Sequence, residues 1–298
     1  MRWSPRFSRF LVLAASLVCA AQAGADDRSD YRIDLTKSVR WDRFELKATT
    51  VFNFAAAGLK LPGGRSQAEE LADLEFPRLV LPTLFSLRVD SSSTVADLIE
   101  EGIVSLEDIQ NLASSARRSA SVLSGDLLTI TSGYEIDLKT FASSLIRHRH
   151  IAEPPRPLQP RSTKTYTGIV VFAIDSLPVH GTARSSSASA CFFPKIWDSG
   201  MNLVYERNMV DPEAARRWGI VRYADASDPA LSTSALADRV GEDPLRIFAS
   251  GLFGIFSTDL VVDSDDALRI LSSEANRRLL KEGRVVIVLG ADAVRALP

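Results

Sequence analysis

Reactive side chains are scarce: cysteine occurs twice and histidine three times in 298 residues. Cys19 lies in an N-terminal apolar run, so Cys191 is the one thiol outside it, and an internal disulfide is excluded once that run is removed. Cys191 stands in Ala-Cys-Phe-Phe, an apolar strand-like setting that predicts a buried, inert thiol. Nucleotide and serine-hydrolase motifs are also missing. No G-x-x-x-x-G-K-[ST], G-x-G-x-x-G or G-x-S-x-G occurs, and Gly251-Leu-Phe-Gly254 lies in an apolar run that opens no helix. Excess positive charge is lacking too, with a formal net charge of −2. That balance excludes nucleic acid as a partner.

What remains is an ordinary globular mix, 46% hydrophobic and 24% charged, which excludes a disordered chain or a cysteine-stapled scaffold. The length suits two domains of roughly 100–200 residues each. Residues 1–23 read as a signal peptide. Arg2, Arg6 and Arg9 precede the short apolar stretch Phe10–Ala20, and Ala21-Gln22-Ala23 supplies a small-x-small cleavage site. Val18 directly before Cys19 fits a lipobox poorly. The leader carries three arginines and no acid, so the exported chain is more acidic than the whole by three charges. No other stretch of about 20 apolar residues exists, so no integral membrane span is expected in the mature chain.

The remainder divides into a flexible lead-in (24–40), an N-terminal domain (41–152), a linker (153–162) and a C-terminal domain (163–298). Four prolines between Glu153 and Ser162 predict a semi-rigid linker between two independently folded halves. In the first half, Trp41–Phe54 alternates as a strand. Ser66 with Glu69 has capping-box spacing for a helix carrying Ala68, Leu71, Ala72 and Leu74, which Pro77 and Pro82 kink or divide. Thr94–Asp97 and Ser105–Asp108 open two short helices. Leu127–Thr131 and Tyr134–Leu138 read as a hairpin about Ser132-Gly133. In the second half, strands are expected over Thr167–Ile174, Gly219–Tyr223, Leu245–Phe253 and Val285–Leu289. A short helix follows Asp211-Pro212, and a longer one runs from Asp263 or Ser264 to Gly283. The fold class is therefore α+β: two small mixed α/β domains, with too few helices for a regular doubly wound fold.

No constellation selects a catalytic centre. His180 precedes Gly181 in a loop. His148 and His150 alternate with Arg147 and Arg149, whose charges oppose a bound cation. Asp263, Asp265 and Glu274 mimic a calcium loop, but Ala267 and Leu268 stand where that loop needs a ligand and a glycine. Asp175, Asp198 and Asp259 punctuate apolar runs without a selective spacing. No catalytic residue, cofactor or metal is assigned.

Two stretches carry a resemblance. In the first half, a strand is followed by a helix with Ala68 and Ala72, Thr94-Val95-x-Asp97, and Gly133-Tyr134-x-Ile136-x-Leu138. This order resembles the bacterial outer-membrane lipoprotein family that includes flagellar outer-membrane basal-disc proteins. The second half contains Tyr166–Val171, Pro194-Lys-Ile-x-Asp198, Val204-Tyr205, Gly219-x-Val-x-Tyr223, Arg239-x-Gly241-x-x-Pro244-Leu245, Thr258-Asp259 and Val285–Val288. It resembles an uncharacterised module of secreted or surface proteins of spirochaetes and deltaproteobacteria. The resemblance implies no catalytic residues and favours an envelope protein acting by contact.

The expectation is thus a non-enzymatic exported protein, an assembly or interaction module of the periplasm or outer membrane, with envelope or flagellar proteins, or further copies of itself, as partners. The alternatives are a periplasmic ligand-binding protein and a carboxylate-dependent enzyme. The aromatic run Phe248, Leu252, Phe253, Ile255 and Phe256 reads first as core packing and, should its strand lie at a sheet edge, as the candidate interaction surface. Export itself is checked by N-terminal sequencing. The mature chain should begin at Gly24, and a lipidated Cys19 start would overturn the cleavage site.

Overall fold

The computed structural model describes residues 33–53, 56–229 and 231–295. The leader and the first part of the expected lead-in, 24–32, lie outside these residues. The rest of that lead-in is not flexible. Ile33–Arg40 is strand β1, paired antiparallel along its length with β2, Glu45–Asn53. Trp41–Phe44 is the turn between them, with Phe44 at a positive φ, so the strand expected from Trp41 begins four residues later.

Helix α1 spans Gly63–Phe85 as one element through Pro77 and Pro82. Its buried residues Gly64, Ala68, Ala72, Phe76, Val80 and Leu84 recur at every fourth position and face β2 and the strands beyond it. Ser66 is therefore inside the helix and caps nothing; Glu69 pairs with Arg65 instead, and Leu74 is exposed. Helices α2 (Val95–Glu100) and α3 (Leu106–Ser114) both start with complete capping boxes, Thr94 with Asp97 and Ser105 with Asp108. Two-residue strands β3 (Arg117–Arg118) and β4 (Val122–Leu123) flank β5, Thr129–Asp137. β5 runs straight through Ser132-Gly133, so the expected hairpin is a single strand opposite β2. Gly133 is required by proximity rather than by a turn: a Cβ there would lie 2.6 Å from Ser119 Oγ. α4, Leu138–Ser144, closes this half.

The second half places β6 (Ile169–Ala173), then a small β7–β8 ribbon (Ser176–Pro178, Ser185–Ser187), β9 (Ile196–Asp198) and β10 (Leu203–Tyr205). α5 (Pro212–Trp218), β11 (Arg222–Asp225), α6 (Thr233–Val240), β12 (Leu245–Phe253) and β13 (Asp259–Val262) follow. The chain then forms α7 (Ser264–Leu271), α8 (Glu274–Lys281), β14 (Val285–Leu289) and α9 (Ala291–Val294). The expected long helix is two, because buried Asn276 turns inward. Its amide donates to the carbonyls of Lys164 and Arg269 and accepts from Tyr166 N–H. Seven strands form one sheet in the order β10-β9-β13-β12-β6-β14-β11, with parallel pairing from β12 through β11. Buried parallel pairing explains why β14 is apolar at every position. Each half mixes helices with a sheet, so the chain is α+β with two domains.

The halves are not independent. Trp41, Phe141, Phe192 and Tyr223 belong to one buried cluster that draws on both. Phe192 and Phe193 donate their N–H groups to Arg88 and Val89 oxygens, and Trp41 N–H reaches Val294 O at 2.9 Å. The proline-rich segment is a strap on the second half rather than a free hinge. Glu153 pairs with Lys281 at 2.7 Å, Arg161 pairs with Asp265 at 2.6 Å, and Pro154 is buried. Between these anchors Leu158 is fully exposed. A cut near Leu158 should therefore leave two fragments that elute together in native gel filtration. Trp41→Ala, which removes a core aromatic worth about 3–5 kcal/mol, should let them separate. Fragments that part without the substitution would refute the shared core.

Candidate functional site

Strand β12 sits centrally in the large sheet, between β13 and β6. Leu245, Ile247, Ala249 and Gly251 turn into the core, while Arg246, Phe248 and Ser250 are on the other face. Helix α6 covers that other face only over part of the sheet, packing Leu236 and Val240 against Val170, Val286 and Val288. Phe248, 69% exposed, lies beyond its cover. Phe172 is its direct partner across the parallel pair, and the two rings stack at 5.2 Å with an interplanar angle of 28°. A mainly apolar trough of about 270 Å³ runs alongside, bounded by Val170, Phe172, Leu231, Leu236, Val240 and Pro244, with Ser232 and Arg246 as its polar members.

The five residues of the expected surface do not come together. Leu252 is fully buried. Phe253 is half-buried against Trp197, ring centroids 5.8 Å apart, with His180 on its edge. Ile255 is exposed, but in the turn after β12 rather than on its face. Phe256 lies under the Arg88 guanidinium and donates its N–H to Ser91 O, so it helps seal the two halves. That turn needs Gly254: its φ is +93°, and a Cβ would meet Ser91 Cβ at 2.3 Å. Only Phe248 survives as a sheet-face contact residue. Phe172, Leu231 and Leu236 join it, and sequence alone missed them because inter-strand register and helix placement carry no local signal.

The titratable groups are held in structural roles. Cys191 is buried and its thiol is pushed up to about 12 by desolvation. Asp259 is wholly buried and accepts hydrogen bonds from Lys195 N–H and Trp197 Nε1–H, both at 3.0 Å. Burial raises its pKa above the ordinary carboxylate value despite those bonds. Asp198 closes a turn on Asn202, His148 Nε2 is 2.8 Å from Val210 O, and Asp265 and Asp266 pair with Arg161 and Arg269. Among the described residues no group of three or more His, Cys, Asp or Glu side chains could hold a metal ion, and no helix is long and apolar enough to cross a membrane.

These features define the class: a two-part α+β protein with a shared core and an uncovered apolar sheet face. Residues 32–144 match the family model of the N-terminal domain of Treponema pallidum Tp0624, and residues 168–291 match that of its second domain. The chain is thus similar to Tp0624 in both domains and in the same order. No curated protein matches it.

Because Asp259 has a raised folded pKa, the folded state holds its proton more tightly than the unfolded chain. That contribution is complete below about pH 3.8 and is lost as pH rises through the folded value. Relative to Asp259→Asn, which stays neutral, the natural chain should be more stable at acid pH than at neutral pH in urea melts. A difference that does not change with pH would show that burial leaves this carboxyl untouched.

Proposed function

We propose that the protein is an exported, non-enzymatic envelope protein that works by contact, and that Phe248 with Phe172 and the neighbouring trough forms its docking face. The observation that carries this reading is the large exposed aromatic on the open face of β12, between the almost wholly buried strands β13 and β6. Parallel strands are normally covered on both faces, so an uncovered one marks a surface kept open for a partner. The occupant is another protein rather than a small molecule. At about 270 Å³ the trough is at the lower end of small-molecule pockets, and beside the exposed Phe248 ring and its stacked partner Phe172 it suits one or two anchoring side chains of a protein partner. The Arg-rich n-region and the Ala-x-Ala site support export. The resemblance to outer-membrane lipoproteins, including basal-disc proteins, and to spirochaetal surface modules supports an envelope partner, with the flagellar apparatus as one such setting.

The test is a photo-crosslinking residue placed at 248 in the native host, with Leu158 as an exposed control position. Position 248 should give a discrete adduct, and Phe172→Ser should abolish it while the chain stays folded, at some cost in melting temperature because Phe172 packs against the α6 cluster. In complementation, Phe248→Ser should be abundant and inactive while His180→Ala remains active. An adduct that persists in Phe172→Ser, or equal loss at positions 248 and 158, would refute the docking face. An adduct with the mass of two copies would assign the face to self-association.

A further inference from the structure

A second cavity, of about 460 Å³, lies where the two halves meet. The first half contributes the β1–β2 turn, the first residue of β2 and one side of α4. The second contributes the end of α5, the start of β11 and the end of α6. Six cations line it against three carboxylates, in a chain whose net charge is negative. Each of those carboxylates already has a cation of its own: Asp42 with Arg40 at 2.6 Å, Asp238 with Arg222 at 2.6 Å, Glu45 with Lys47 at 3.9 Å. Among the described residues no carboxylate comes within ion-pair distance of Lys139, Arg216, Arg217 or Arg239.

Arg239 is the least ordinary of these. It is only 3% exposed, and its two terminal nitrogens donate to Trp218 O and Gly219 O, the carbonyl end of α5, at 2.8 Å. Those bonds account for its position but leave its charge unneutralised by any acid, and burial pulls its pKa down to about 10. Its guanidinium lies 4.6 Å from the Trp218 ring centroid, and that of Arg217 lies 5.0 Å away. Arg216 reaches across to Ile146 O at 2.9 Å and so ties the cavity wall to the first half.

A second observation is independent of charge. Six buried side-chain nitrogen or oxygen atoms lack a hydrogen-bond partner among the described residues, and three of them line this one cavity. Two are donors, Trp218 Nε1 and Arg239 Nε; the third is Glu45 Oε2, beside the Lys47 ammonium. Buried donors without acceptors are costly and rare, and their concentration at one place marks a site that expects an acceptor. The basic hollow between Glu153, Arg156, Glu274, Arg277, Arg278 and Lys281 differs on this point. Lys281 is bound to Glu153 there, and none of those six residues has an orphaned buried atom.

We propose that the cleft between the two halves binds a small organic polyanion, gripping its carboxylate or phosphate groups with Lys139, Arg216 and Arg217 at the rim and Arg239 below. Guanidiniums are weakly hydrated and fork onto either oxyanion, so both chemistries fit the same donors. A cavity of about 460 Å³ has room for more than a single inorganic ion, and its several cations match a ligand that carries several anionic groups on one frame.

The probes are pyrophosphate and citrate, titrated into the mature chain at low and near-physiological salt, about 20 and about 150 mM. Melting temperature and tryptophan fluorescence are the readouts. At least one probe should raise the melting temperature and change the fluorescence, with Trp218→Phe losing the fluorescence change and, for want of the Nε1 donor, part of the thermal shift. Lys139→Ala with Arg217→Ala, two exposed side chains, should leave the unliganded melting temperature unchanged and weaken binding by about tenfold or more. A preference for pyrophosphate assigns a phosphorylated ligand, and a preference for citrate a polycarboxylate. If neither probe has an effect at about 10 mM, far above metabolite-range affinities, or if the double variant binds as the natural chain does, the site is refuted. The docking face at Phe248 is unaffected by either result.

Discussion

Trp41 holds the molecule together at the point where its two halves would otherwise part. The ring is 2% exposed and packs edge-on to Phe192 at 5.3 Å and to Tyr223 at 6.3 Å, both from the second half. Phe44 and Phe141 complete the cluster from the first. Tyr223 adds a polar lock inside it: its hydroxyl accepts from Cys191 N–H and donates to Cys191 O. Both backbone groups of a fully buried residue are thereby satisfied without a strand partner. Burial accordingly pushes the Tyr223 hydroxyl well above its ordinary pKa. Large rings packed mostly edge to face, with the buried Cys191 backbone paired by Tyr223, make a joint that resists shear as well as separation.

The consequence reaches beyond stability. A cleft between two domains on a flexible linker opens and closes, and its ligand must supply the free energy of ordering it. Here the walls are fixed by the shared core and by the Gly254 turn seated on Ser91, so the cleft exists before any ligand arrives. Cations held in place without counter-charges cost stability in the empty protein. That cost is the form preorganisation takes: the field at the cleft is set by the fold, and an anion completes it.

The sequence was legible where the signal is local. The two helix starts at Thr94–Asp97 and Ser105–Asp108, the alternation of β2 and the apolar run of β14 follow from spacings within a few residues, and all appear, β2 from Glu45 rather than Trp41. It misled where a local cue had a distant cause. Ser132-Gly133 resembles a turn, yet the glycine answers to Ser119 fourteen residues earlier in the chain. Four prolines suggest a semi-rigid linker between independent halves, but Glu153 and Arg161 tie the segment to α8 and α7. Pro77 and Pro82 suggest breaks in α1, whose stripe of buried residues at every fourth position holds it as one helix. The run from Phe248 to Phe256 reads as one surface because its residues adjoin. Strand alternation and a glycine turn send them to the solvent face, the core and the joint between the halves. The cleft was invisible for the same reason: Arg43, Lys139, Arg217 and Arg239 are remote in sequence and unremarkable singly.

The two surfaces also constrain each other's reading. A mainly apolar trough with one cation at its wall, Arg246, gives affinity with little discrimination, whereas a cluster of fixed cations discriminates by charge and geometry and weakens with salt. Placed on one rigid body, they divide the work of recognition between separate sites. Helix α6 connects them physically: Leu236 and Val240 wall the trough, while Asp238 and Arg239 from the same turns line the cleft. The helix is eight residues long, and Thr167 holds its last turn by a 2.7 Å bond to Val240 O. An anion drawn onto Arg239 therefore loads the helix that forms one side of the trough. In a well-packed interior such a load is transmitted rather than absorbed. Any coupling between the two sites would run through α6, where the trough and the cleft are separated by a single turn of helix.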